Sequence, residues 1–134
     1  GTFYPRMVSV LIVVSSIALI ATETVRLWMG GDPLRAIRQL RGAIYHVHAK
    51  DTRIDPAQSE LNTLLETKPN DRVAERAWNY VTLGYGHSEI WWRDFVIQLR
   101  QSGYDDVLSI EHEDYSLSPL AGVSKSVALL NSVI

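Results

Sequence analysis

Cysteine is absent from these 134 residues. That excludes disulfides and thiolate-held metal centres, fits a cytoplasmic protein, and leaves histidine and carboxylate side chains as the metal donors. Neither sign of charge dominates, since 13 Lys and Arg stand against 15 Asp and Glu. A polyanion-binding surface is therefore not indicated, and nucleic acid is not an expected partner. A glycine-rich phosphate loop is missing too: Gly84-Tyr85-Gly86 lacks the third glycine of a dinucleotide fingerprint. Solenoid repeats and low-complexity linkers are also lacking.

The apolar run at residues 8–21 (VSVLIVVSSIALIA) falls short of the about 20 residues that span a bilayer. A signal core or anchor is one reading, with Arg6 as its single leading charge and no clean A-x-A cleavage site. The favoured reading is a buried strand over 8–14 running into an apolar helix. A membrane partner is not expected.

What is present is alternation. Gly30-Gly31-Asp32-Pro33 breaks the chain, and Asp32 and Pro33 suit a helix start. Leu34, Ile37 and Leu40 then repeat at helical spacing until Gly42. A short strand is expected over 43–48, a polar loop over 51–58, a weak helix over 57–66 and a turn at 68–71. A third strand over 78–83 ends in Gly84-Tyr85-Gly86. Ser88 caps a helix over 89–101 whose apolar side is Ile90, Trp91, Val96 and Leu99. Gly103 stops it, 107–110 is the last strand, and Ser118-Pro119 opens a final helix with the stripe Leu120, Val123, Val127, Leu130 and Ile134. Strand–helix alternation with short loops predicts a parallel sheet with right-handed crossovers.

Two runs carry the chemistry, Ile44 to Asp51 (IYHVHAKD) and Val107 to Asp114 (VLSIEHED). Each is a strand ending in polar, ligand-type side chains, as at the active-site rim of a parallel α/β barrel. His46 and His48 lie two apart and share one strand face. His48 and Glu111, at similar heights on separate strands, can bind one divalent ion. The competing reading is a hydrogen-bonded histidine network with Glu111 paired to Lys50. Lys50 either stabilises a developing oxyanion or joins an ion pair at the strand end. Arg53 contacts a phosphate or sugar hydroxyl, or is solvated. His87 lines the same rim or caps the next helix. Of His112, Glu113 and Asp114, one assists the site and the rest face solvent. Trp91 and Trp92 read as core and interface residues.

In this order and spacing the motifs resemble the sugar phosphate isomerase/epimerase family, the xylose isomerase-like barrels. I-x-H-V-H-A-K-D at Ile44–Asp51 and S-I-E-H-E-D at Ser109–Asp114 carry the likeness. Gly84–Phe95 resembles the segment between that family's seventh strand and its helix, and Gly103-Tyr104-Asp105-Asp106 the turn before its eighth strand. The resemblance implies a TIM barrel with a divalent metal at its C-terminal mouth, held by Glu, Asp, His and Glu from strands four, five, six and eight. His48 matches the strand-six ligand. Glu111 matches the strand-eight ligand, which also does acid–base work. Lys50 and Asp51 match positions near the substrate. The pattern departs at Thr24-Val25-Arg26, where the family reads D-P-S-H, and the strand-four Glu has no counterpart.

The expected fold is therefore α/β, a partial (half) TIM barrel of about four parallel strands alternating with helices. Such a barrel needs roughly 250 residues, and about 200 at the least. Residues 1–26 form an apolar segment unlike the family, and 27–134 its C-terminal half. The expected function is metal-dependent (Zn, Mn, Mg or Co) isomerisation or epimerisation of a small sugar or sugar phosphate, impaired by truncation. Catalysis falls to Glu111 and Lys50, metal binding to His48 and Glu111, and substrate binding to Asp51, Arg53 and His87. Exposed strand edges predict a homodimer of half-barrels. The alternatives are a non-catalytic dimerising remnant and a tethered or exported protein.

Overall fold

Where the sequence supplies a cap and a stop, the first helix forms. In the computed structural model, which describes residues 32–134, α1 spans Pro33–Gln39. Its N-cap Asp32 accepts the Leu34 N–H at 2.9 Å, and Gly42 turns the chain away at φ 76°. The apolar segment 8–21, its expected strand and helix, and the boundary at residue 26 lie outside the described residues.

β1 (Val47–Ala49) is short and leads, after Lys50, straight into β2 (Asp51–Ile54). α2 follows at Pro56–Asn62, then a 3-10 turn at Val73–Glu75 and β3 at Trp78–Val81. α3 covers Glu89–Gln101, β4 Leu108–Ile110 and α4 Pro119–Val133. Ser88 and Ser118 cap the two long helices by accepting the Trp91 and Ala121 N–H groups.

β1 and β4 pair in parallel, with His48 opposite Ser109. The Glu111 N–H extends the ladder to the Ala49 carbonyl at 3.1 Å. Alternation decides what each face carries. Val47, Ala49, Leu108 and Ile110 turn toward the helices and join a core built on Leu83, Trp92, Val96, Leu99, Leu130 and Val133. Burying each of the large apolar side chains contributes roughly 1.5–3 kcal/mol. α1 docks Ile37 beside Leu99 and Tyr104 of the same helical layer. The other face of β1 and β4 carries His46, His48, Ser109 and Glu111.

Several expectations are corrected here. Among the described residues, only one strand pair is parallel, not about four strands. β3 pairs antiparallel with β2, Thr52 opposite Tyr80 and Ile54 opposite Trp78, so it is not a barrel strand between β1 and β4. The supposed polar loop at 51–58 is therefore β2 plus the start of α2. The two motif runs, about 60 residues apart in sequence, are direct neighbours in space. Finally, α3 buries Trp92, Val96 and Leu99 and exposes Ile90, while α4 buries Gly122, Ser126, Leu130 and Val133. Most of the expected α4 stripe faces out. No helix among the described residues is long and apolar enough to cross a membrane.

Candidate functional site

The polar face of β1 and β4 gathers at the C-terminal ends of the two strands. His46, exposed just before β1, has its Nε2 2.8 Å from Ser109 Oγ, and its ring meets His48 edge-on at 4.8 Å between centroids. One step up, His48 Nδ1 stands 3.9 Å from Glu111 Oε2, both side chains being open to solvent at 60% and 42%. At the rim the Lys50 ammonium donates to Glu111 Oε1 at 2.6 Å and to Glu113 Oε1 at 2.8 Å. It also sits 3.9 Å above the centroid of the Tyr80 ring.

Charges here are mutually fixed. Burial works against the Lys50 ammonium, but its hydrogen bonds to Glu111 and Glu113 outweigh that and raise its pKa above the usual lysine range. The same Lys50 hydrogen bond holds the Glu111 carboxyl below the usual glutamate range, against a smaller opposing effect of desolvation. Glu111 is therefore an ionised carboxylate with one oxygen engaged and the other turned toward His48.

Asp51 behaves differently from its neighbour. Its side chain is fully enclosed. Its carboxylate accepts the Thr52, Gly84, Gly86 and His87 backbone N–H groups, the His87 ring at 2.7 Å, and the Trp92 indole at 3.4 Å. Burial pushes its pKa up, yet the His87 and backbone hydrogen bonds prevail and lower it. Gly84 supports this knot with φ 89°, and a Cβ on Gly86 would lie 2.1 Å from the Thr52 carbonyl oxygen. The G-Y-G-H sequence thus wraps a carboxylate. Asp114 does a similar job across the body, accepting the Thr82 N–H and hydroxyl at 2.9 Å each and the Ser116 N–H at 2.8 Å. Those hydrogen bonds depress its pKa although burial opposes them.

Of the residues singled out in the sequence, the structure brings together His48, Lys50 and Glu111, with His46 beside them. Asp51 and His87 form a separate pair behind Lys50, where His87 stacks on Trp91 at 4.2 Å between centroids. Arg53 lies exposed on β2, on the ribbon face opposite Thr52. Of the two further contacts of Lys50, the sequence named Glu113 only as one of three residues that could assist the site, and it missed Tyr80. Glu113 has a signal, being two residues past Glu111 at strand spacing. Tyr80 has none, because only the pairing of β2 with β3 delivers it. Asp114 and His112 turn inward, not to solvent: His112 packs on Gly122, and its Nε2 is buried without a hydrogen bond among the described residues. No group of three or more His, Asp or Glu side chains among the described residues is arranged to hold a metal ion.

Comparison with known proteins bears on the same region. A model of xylose isomerase-like TIM barrels matches residues 21–133. The chain is also similar to a Bacillus subtilis protein described as uncharacterized protein YfiH, being 47% identical over 108 residues. That stretch is 81% of this chain and 34% of the Bacillus protein, so the chain spans about a third of that relative's length.

Proposed function

The chain belongs to the xylose isomerase-like TIM barrel family, and from that premise we propose that it contributes the polar face of β1 and β4 to metal-dependent isomerisation or epimerisation of a small sugar or sugar phosphate. One observation carries the reading: His48 Nδ1 and Glu111 Oε2 stand 3.9 Å apart on adjacent parallel strands. Two donors each about 2.1 Å from one ion stand roughly 3–3.5 Å apart. Both side chains are exposed, so a small rotamer adjustment closes the difference. The pair fits two positions of a divalent ion (Zn, Mn, Mg or Co). Water or substrate oxygens would supply the others.

When bound, the ion polarises a carbonyl or hydroxyl oxygen of the sugar. The chain's own groups do the rest. Glu111 would exchange a proton with the carbon beside the carbonyl through whichever carboxylate oxygen the ion leaves free. Lys50 holds Glu111 ionised and donates toward a developing oxyanion.

The test is Mn2+ titration of the full chain, followed by electron paramagnetic resonance, with sugar-dependent deuterium uptake from D2O as the chemical readout. Wild type should bind one ion per chain. His48→Ala and Glu111→Gln should each weaken binding by at least about tenfold, and Glu111→Gln should abolish deuterium uptake. Ion binding that neither variant alters would displace the site. Ion binding without deuterium uptake, across aldoses, ketoses and their phosphates, would leave the non-catalytic dimerising reading in its place.

A further inference from the structure

The ribbon of β2 and β3 stands beside the rim of the site and reaches into it with one aromatic ring. We infer that Tyr80 is a positioning residue for this site: its ring face holds the Lys50 ammonium on Glu111 and Glu113, and so keeps Glu111 Oε2 turned toward His48. The inference rests on the metal-site reading above and adds a residue to it from outside the strand pair that bears the ligands.

The register makes the contact. Tyr80 lies opposite Thr52 in the antiparallel pairing, and Lys50 shares the Thr52 face two residues earlier. The ammonium rests 3.9 Å from the ring centroid on one side, while Glu111 Oε1 and Glu113 Oε1 take two of its N–H donors at 2.6 and 2.8 Å on the other. A ring's negative face attracts a cation, most strongly where water is partly excluded, and the Lys50 side chain is only 22% exposed. A lysine stem is flexible, so without a floor the ammonium would sample many rotamers. With the floor, Lys50 claims Oε1 alone and leaves Oε2 for the ion.

The ring is itself held. Trp78 meets it edge-on at 5.1 Å, and the Trp78 indole N–H donates to the Leu64 carbonyl at 3.2 Å. On Trp78's own ring lies the Arg76 guanidinium, 4.6 Å from the centroid. Tyr80 is thereby fixed by the excursion between β2 and β3, not by the strands that carry His48 and Glu111.

Two readouts on the full chain decide the matter. In metal-free wild type, the Lys50 Hε protons should be shifted upfield by the ring current. Finding them at the shifts of a solvated lysine overturns the inference without any variant. Tyr80→Phe keeps the ring and should preserve both that shift and the Mn2+ affinity. Tyr80→Leu should lose the shift and bind Mn2+ about tenfold more weakly, the loss typical of a group that orients a metal ligand. In Lys50→Met, adding Tyr80→Leu should cost nothing more, because the ring acts only through the ammonium. A folded Tyr80→Leu chain with unchanged affinity, or additive losses in the double variant, overturns the inference. A wild-type chain that binds no Mn2+ defeats the metal-site reading instead, while the Lys50 shifts still report on Tyr80.

Discussion

Asp51 and Gly86 set the tolerance of this region to change. Gly86 passes so close to the β2 backbone that any Cβ would press on the Thr52 carbonyl at 2.1 Å and on Asp51 Oδ1 at 2.6 Å. A backbone oxygen cannot rotate aside, so Gly86→Ala should destabilise the fold by about 1–3 kcal/mol, the usual cost of overpacking. In urea denaturation the midpoint should fall with the slope unchanged. Asp51 predicts a pH dependence. Its folded pKa is depressed, as is that of Asp114. Protons therefore bind the unfolded chain more readily than the folded one. The stability these carboxylates contribute is fully present above the unfolded value, about 3.9, and is lost as pH falls through the lower folded value. Thermal melts between about pH 5 and pH 2 should show the loss, and Asp51→Asn should flatten that limb while lowering stability at neutral pH. An unchanged acid limb in Asp51→Asn would place the acid sensitivity elsewhere.

The ribbon depends on one buried cation at its base. Arg76 is 4% exposed, donates to the Trp78 carbonyl at 3.0 Å and to the Lys68 carbonyl, and lies 3.8 Å from Glu66 Oε1. That glutamate oxygen is buried and has no hydrogen bond among the described residues. Arg76→Met would strand the carboxylate and should cost about 3–5 kcal/mol. Adding Glu66→Leu should recover part of the loss, as measured by chemical denaturation. Equal losses in the single and double variants would mean the guanidinium's carbonyl contacts matter and its charge does not. This element also marks where the sequence stopped being legible. Caps at Asp32, Ser88 and Ser118 announced three helices because capping is local chemistry. The strands with His48 and Glu111 were legible because alternation and rim residues coincide there. The direction of β3 was not, since a short run such as Trp78–Val81 reads identically in parallel and antiparallel pairing. Its partner is set by contacts across more than 20 residues. That single ambiguity hid Tyr80 from the site and inserted a strand between two neighbours.

How the whole body meets its surroundings turns on α4. Heptad-like spacing of Leu120, Val123, Val127, Leu130 and Ile134 reads as a core stripe, yet Leu120 is 80% and Ile134 60% exposed. Small residues win the inner face for a steric reason. The His112 ring lies where a Gly122 side chain would be, 1.9 Å from a built Cβ, and Ser126 Oγ accepts the Leu83 N–H at 3.3 Å. Larger residues at 122 or 126 would lift the helix off the sheet. Leu120, Val123, Val127 and Ile134 are thereby left exposed while Leu130 stays in the core, and an exposed apolar patch of this kind can mark an interaction surface. If the homodimer expected from the sequence forms, the two stripes are surfaces it would pack together. Sedimentation velocity at micromolar concentration should then show a dimer. Leu120→Glu with Val127→Glu should return it to monomer without lowering the melting temperature of the dilute protein, because neither side chain is buried in the protomer. A wild-type chain that stays monomeric throughout would rule out a second copy as the occupant of the stripe. A melting temperature that falls in the double variant would show that the stripe is already covered within one chain.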